Sequence, residues 1–290
     1  MGVTTPDCVW PVEATLGEGP VWWDGQLWFT DIKQNKVHCF TPDTGARQSW
    51  GAPSPVGFLA PRSDGHFIAG AKTGLYDFHP GTGSFTLMRT VEPDRPGNRL
   101  NDGAVDAKGR LWFGSMDDAE AEPTGKLYCL DGGTLTVRDE NYIITNGPAF
   151  SPDGKTLYHT DTLKKEIYAF NLGDDGALSN RRIFATIEEG AGYPDGPVVD
   201  AEGYLWTGLF AGFAVRRYAP DGALHTVVRF PCANVTKIAF GGANGKTVYA
   251  TTARKGLDSE SLRAQPLAGG LFCFAAETRG QSQACVLVSN

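Results

Sequence analysis

A six-bladed β-propeller with about four strands per blade is the all-β fold this sequence predicts, and three observations lead to it. A stretch of common grammar recurs six times at intervals of 38 to 49 residues. Turn-forming residues are abundant, with 37 Gly and 18 Pro in 290 residues. No long segment carries the 3.6-residue period of a helix.

The six copies read GEGPVWWDGQLWFTD at 17–31, GFLAPRSDGHFIAG at 57–70, NDGAVDAKGRLWFGSM at 101–116, NGPAFSPDGKTLYHTD at 146–161, DGPVVDAEGYLWTGLF at 195–210 and VTKIAFGGANGKTVYATT at 235–252. In the four strongest copies a polar residue and a glycine lead into a short apolar strand, a turn built on Asp and Gly, and a second strand with an aromatic core. Each copy is followed by another strand pair, around VHCFTPDTG, GLYDFHPGTG, KLYCLDGG, IYAFNLGDDG, VRRYAPDG or LFCFAAETRG. The anchor positions Gly19, Gly57, Gly103, Gly147, Gly196 and Lys237 stand 38, 46, 44, 49 and 41 residues apart, so six units of four strands use up the chain. A β-sandwich accounts for the strands but not for the six-fold repeat. Ring closure requires the N-terminal segment CVWPVEATL to pair beside the last blade, near ACVLV, an expectation that comes from the architecture rather than from spacing. One helical turn is expected within 257–265, and residues 1–290 read as a single domain.

Composition narrows the function. With 41% hydrophobic and 20% charged residues the chain can bury a sizeable core, which excludes disorder, collagen and coiled coil. The net charge is −7 and no basic cluster is present, so no nucleic-acid partner is expected. Apolar runs such as 208–215 fall far short of the roughly 20 residues needed to cross a bilayer, and no membrane partner is expected. Residues 1–10 show no leader pattern and Pro6 breaks a myristoylation motif, so the cytoplasm is the expected compartment. Six cysteines lack any CxxC spacing and are expected to be reduced thiols. Cys39, Cys129 and Cys273 lie in look-alike segments of different repeats, too far apart to bridge; Cys8 and Cys285, near the two termini, are the one pair left open. No GxSxG elbow, Walker loop or GxGxxG at a strand–helix junction supports serine-hydrolase, nucleotide or hydride chemistry.

Rotation about a propeller axis turns repeat alignment into geometry: the same repeat position falls at the same height around the channel. The residue before each anchor is Glu18, Val56, Asp102, Asn146, Asp195 and Thr236. Four of the six are carboxylates or an amide, which favour turns singly but repel when gathered and desolvated, unless a cation holds them. Oxygen donors without Cys or His point to one hard divalent cation, Ca²⁺, Mg²⁺ or Mn²⁺, with Fe²⁺ and Zn²⁺ left open. His38, His66, His79, His159 and His225 show no metal-pair spacing and read as packing or surface residues. Trp28, Trp112 and Trp206 share one second-strand position and read as core between blades rather than as a carbohydrate platform. Trp22 and Trp23, being adjacent, must face opposite sides of their strand.

At TLGEGPVW, NRLNDGAVDAKGRLWFGSM, ITNGPAFSPDGKTLYHTDT, YPDGPVVDAEGYLW and TTARKGL…PLAGGLF the sequence resembles, end to end, the gluconolactonase-like family of regucalcin-type sugar lactonases. That resemblance implies a six-bladed propeller with one divalent cation held by Glu18, Asn146 and Asp195, all three members of the ring. It also implies substrate contacts from Arg99 and Asn101, with Asp102 adjacent as a second-layer residue. An acidic substrate contact that some members carry after the GTM-like block has no clear match; within DDAEAEP, Asp118 is the candidate. The expected reaction is metal-dependent hydrolysis of a sugar aldonolactone. The cation would polarise the carbonyl, Asp195 would act as general base, and Arg99 and Asn101 would orient the sugar. Direct activation of water by the cation is the alternative to Asp195. Within the family, YHTDTLKKEIYAF and TTARKGL look closest to bacterial pentonolactonases, D-xylonolactonase above all, which implies D-xylonolactone as substrate in pentose catabolism; L-arabinonolactonase and gluconolactonase stay open. Outside this class stand a metal-dependent esterase or phosphotriesterase and a non-catalytic calcium-binding propeller. Oligomeric state is not written in the sequence, and a monomer is favoured.

Overall fold

A computed structural model describes residues 5–287. Met1 to Thr4, part of the segment read above for a leader, and Val288 of ACVLV lie outside the described residues. Six four-stranded antiparallel sheets follow one another around an axis, which is the predicted propeller. Blade 1 spans residues 17–51, blade 2 56–90, blade 3 98–142, blade 4 145–186 and blade 5 193–229. Blade 6 takes three strands from 235–275 and its fourth from the N-terminus. One short helix, Ser259–Ala264, falls within the stretch expected to hold a helical turn; the Asp258 carboxylate caps it by accepting the Ser261 N–H.

The closure strand Asp7–Trp10 pairs antiparallel with Leu271–Ala275, setting Asp7 opposite Cys273 and Cys8 opposite Phe272. The expectation that it lies near ACVLV is therefore corrected: LFCF provides the edge. The C-terminal segment instead leaves blade 6 and runs past its neighbours. Gly280 bridges Asp200 of blade 5, the Gln281 amide donates to Phe150 and Val199 carbonyls, and Val286 bridges Arg62 of blade 2. The physical reason is edge protection, because Leu271–Ala275 would otherwise expose a row of unpaired backbone groups.

Burial follows strand order. The innermost strands are almost wholly buried, as in Val56–Pro61, whereas the fourth strands are exposed, as in Ser84–Thr90. The core lies between blades. Trp28 packs on Phe67 and Phe78 of blade 2, Trp112 on Phe150 of blade 4, and Trp206 on Phe240 and Phe274 of blade 6. All three are core residues, as their shared repeat position indicated. In blades 3 and 5 a buried aspartate serves the tryptophan: Asp106 accepts Trp112 Nε1 and Arg110 Nε, and Asp200 accepts Trp206 Nε1 and Arg217 Nε. Gly57 is required by close approach, since a Cβ there would stand 2.1 Å from the Asn101 carbonyl oxygen of the adjoining blade.

All six cysteines are free thiols. Cys39, Cys129 and Cys273 occupy one repeat position, opposite Trp28, Trp112 and Tyr249 in blades 1, 3 and 6. Cys8 sits at the closure strand, while Cys285 lies against Gly109 in blade 3, so the open pair does not meet. Burial pushes the Cys39 and Cys232 thiols up to about 12 and Cys129 up to about 11, where they are poor nucleophiles. Thiol titration of the denatured, unreduced protein is expected to approach six, with the native protein reacting far more slowly; a denatured count near four would contradict this arrangement. Among the described residues, no helix is long and apolar enough to cross a membrane.

Candidate functional site

The first strand of every blade carries the ring position at its entrance to the channel: Gly17–Trp23, Val56–Pro61, Asn98–Val105, Thr145–Phe150, Tyr193–Val199 and Val235–Gly241. At that point each strand slips register against its neighbour, between Glu18 and Val21, Val56 and Phe58, Leu100 and Gly103, Asn146 and Ala149, Pro194 and Pro197, and Val235 and Ile238. Such bulges re-aim side chains out of the pleat. Repeated six times, the same irregularity builds a ring. Its side chains are buried: Glu18 is 5% exposed, Asp102 1%, Asn146 2% and Asp195 6%.

Glu18, Asp102 and Asp195 lie close enough to perturb one another. Burial and the Asp102 carboxylate push Glu18 up to about 7, against the Gly19 N–H and the charges of Lys237 and Arg99. Burial and the carboxylates of Glu18 and Asp102 push Asp195 well above the usual carboxylate range, and its side chain hydrogen-bonds Glu18. Asp102 is satisfied differently. Its Oδ1 accepts Lys237 Nζ at 2.5 Å and the Gly103 N–H at 2.8 Å, and its Oδ2 accepts the Gly147 N–H at 2.7 Å.

Beside the carboxylates runs a chain of amides. Arg99 Nη1 donates to Asn101 Oδ1 at 2.5 Å; Asn101 Nδ2 donates to Asn146 Oδ1 at 3.1 Å and to the Thr145 carbonyl. Asn146 Nδ2 donates to Thr162 Oγ1, which fixes the amide and turns its oxygen toward Asn101. Arg99 is 2% exposed, its Nε is held by Asp118 at 2.9 Å, and its Nη2 has no partner among the described residues. Every polar residue proposed from the sequence thus falls within one buried group. Val56 and Thr236, the ring's other two members, serve packing and a hydrogen bond to the Gly17 carbonyl.

Two features go beyond the sequence reading, which named Asp118 alone on the first of them. The loop at 117–124 reaches across the channel mouth. Asp118 pairs with Lys33 of blade 1 at 2.7 Å and Lys72 of blade 2 at 3.6 Å as well as Arg99, and Glu120 pairs with Lys255 of blade 6. Burial works against ionising Asp118, but Lys33 and Arg99 outweigh it and hold its carboxyl at about 2. The candidate Asp118 is therefore at the site. The second feature is Lys237. The sixth copy has lysine where the other five have glycine, a signal present in the alignment of the repeats.

The residues also fit a cation. Glu18 and Asp195 are buried beside one another, with no cationic side chain bonded to either among the described residues, while Asn146 adds a fixed carbonyl oxygen. Three oxygen donors, two of them carboxyl groups, suit a hard divalent cation. Glu18, Asn146 and Asp195 are the residues that could hold it.

The histidines stand apart from this group. His38 bonds Ser49, His66 bonds Asp77, and His159 is fully buried against Tyr142, with burial lowering it to about 3. Trp22 stacks on Tyr249 while Trp23 packs with the core between blades 1 and 2, on opposite sides of their strand.

Fold and site together define a class, the six-bladed propellers that gather polar side chains from successive blades at one mouth of the channel. Within it, the chain belongs to the SMP-30/gluconolactonase/LRE-like family, matching over residues 16–254. It is 35% identical to regucalcin of Oryctolagus cuniculus over 276 residues, 92% of each chain. It is likewise 35% identical to L-arabinolactonase of Azospirillum brasilense over 272 residues, 91% of this chain and 89% of that one. Its fold superposes on the crystal structure of a calcium-binding protein, regucalcin, from Agrobacterium tumefaciens with a TM-score of 0.94, at 29% identity and covering 98% of both chains.

Proposed function

We propose that this protein hydrolyses a sugar aldonolactone to its aldonic acid, with D-xylonolactone as the preferred substrate, as a step of pentose catabolism. The observation that carries the reading is the buried Glu18–Asp195 carboxyl pair set beside the Arg99–Asn101–Asn146 chain. Family membership and the L-arabinolactonase relative support the reaction class. Glu18, Asn146 and Asp195 would hold a divalent cation, which would supply Lewis-acid polarisation of the ester carbonyl. Arg99 Nη2 orients the lactone by donating to its carbonyl or hydroxyls, and Asn101 Oδ1 by accepting from a hydroxyl. Asp195 takes a proton from the attacking water and returns it to the ring oxygen as the C–O bond breaks. Water adds to the acyl carbon, the ring C–O bond breaks, and the freed oxygen leaves as the alcohol of the open acid. The lysine-flanked loop at 117–124 shields this chemistry from bulk water. We read the chain as one domain that acts as a monomer in the cytoplasm, where six free thiols persist.

The test is pH-stat hydrolysis of xylono-, arabinono-, galactono- and gluconolactone and of a phosphotriester, with spontaneous hydrolysis subtracted. Chelated protein is expected to fall to background and to recover when a divalent cation is restored, with xylonolactone hydrolysed fastest. Glu18→Gln is expected to weaken cation binding in equilibrium dialysis. A second reading, a calcium-binding propeller without catalysis, is favoured by the description of the Agrobacterium tumefaciens structure. It prevails if cation-loaded protein leaves every lactone at the background rate.

A further inference from the structure

Lys237 is a buried lysine with a prepared seat. It lies on the innermost strand of blade 6, is 5% exposed, and carries its ammonium to Asp102 of blade 3, on the opposite side of the ring. Its stem passes over Gly196, where an added Cβ would stand 2.5 to 3.0 Å from Lys237 Cδ, Cγ and Cβ. Glycine next to Asp195 is thus the condition for the lysine's path. Lys237 also lines a cavity of about 1300 Å³ that continues down the channel past Pro20, Gly103, Pro148 and Pro197. Glu18, Asp102, Asn146 and Asp195 do not line that cavity, so the lysine stands at the boundary between it and the ring.

A buried lysine is costly unless its charge is matched, and a third carboxylate beside Glu18 and Asp195 is costly for the same reason. The two costs offset each other here. Asp102 has both carboxylate oxygens engaged, by Lys237 and two backbone N–H groups, whereas Glu18 accepts the Gly19 N–H and Asp195 the Gly196 N–H, with no cationic side chain bonded to either among the described residues. We propose that Lys237 is a positioning residue. Its ammonium is a built-in counter-cation for Asp102, which keeps Asp102 out of the donor set and limits the channel to one divalent cation. The inference rests on the cation reading of the ring and adds to it the reason for a single ion: a side chain already fills the place of the second positive charge.

The test counts bound Mn²⁺, by paramagnetic titration, in the full chain and its variants. Lys237→Met keeps the length of the stem and removes the charge. It is expected to bind one more Mn²⁺ per chain than wild type, and Lys237→Met/Asp102→Asn is expected to return to the wild-type count. Asp102→Asn alone leaves an unmatched ammonium facing the ring and is expected to raise the Mn²⁺ Kd at least tenfold, with the double variant restoring it to within threefold. A Lys237→Met chain that folds and gains no Mn²⁺ overturns the proposal. Where Lys237→Met does not fold, Asp102→Asn and the double variant decide it, and equal Kd values in the two overturn it. Wild type that binds no Mn²⁺ refutes the cation reading, while the difference between wild type and Lys237→Met still decides the role of the lysine.

Discussion

Asp195→Ala is expected to lower lactone kcat/KM by at least 1,000-fold and to weaken divalent-cation binding, with the chelated protein melting no lower than wild type. The substitution removes one of the two carboxyl groups that would hold the cation, and with it the proposed base. A thousandfold loss corresponds to about 4 kcal/mol of transition-state stabilisation, within the several kcal/mol that such sites supply. The melting result follows from charge. In the absence of a cation, burial and the neighbouring Glu18 and Asp102 carboxylates raise the Asp195 pKa, so at neutral pH ionisation of this carboxyl favours the unfolded chain, and deleting it removes that cost. A variant that loses activity by unfolding would melt lower and would be excluded as evidence for the site. Cation affinity and kcat/KM unchanged within threefold would reject Asp195 in both roles.

Arg99→Ala is expected to lower kcat/KM by roughly 30- to 1,000-fold while the bound-cation count stays the same. Charge-assisted hydrogen bonds to a partly buried substrate contribute about 2–4 kcal/mol, and about 1.4 kcal/mol is a factor of ten in rate. Arg99 is already anchored through Nε to Asp118 and through Nη1 to Asn101, so its Nη2 meets a substrate with little further ordering. Its removal also frees Asn101, which bonds Asn146, and Asp118 to turn, but takes no direct hydrogen bond from Glu18, Asn146 or Asp195 among the described residues. Stopped-flow or pH-stat kinetics with parallel metal analysis separate the two effects. A drop in cation content equal to the drop in rate would mean that Arg99 supports the donors rather than the substrate.

Six-fold repetition made much of this molecule readable before its coordinates. Glu18, Asp102, Asn146 and Asp195 were found because a rotation axis brings equivalent positions together, and the cysteines and tryptophans followed the same rule. What repetition could not reveal was whatever breaks it. Asp118 and Glu120 lie on the connection between the second and third strands of blade 3, which is longer than its counterparts in blades 1, 2, 4 and 5, and the Glu120–Lys255 pair joins residues 135 apart in the chain. The Lys237–Asp102 pair has the same separation and crosses the ring, so no local pattern announces it. The register slips at the ring are backbone events, invisible in side-chain identity. The closure strand was correctly assigned to the last blade and misplaced within it, because apolar CVWP fits either LFCF or ACVLV by composition and only the edge geometry distinguishes them.

The pairing of Asp7–Trp10 with Leu271–Ala275 also bears on how the molecule is made. A chain emerging from its amino end can complete blades 1 to 5 as local hairpins, each joining near neighbours in sequence. Blade 6 alone joins residues more than 260 positions apart, Asp7 with Cys273, and pays the loop-closure entropy of the whole chain. Until that step the seam between Gly17–Trp23 and Val235–Gly241 stays open, and Glu18 and Lys237 lie on its two sides. The nascent protein therefore carries its future carboxylate cluster in a gaping, solvated crescent, and the buried site comes into being only with the last and slowest contact of synthesis.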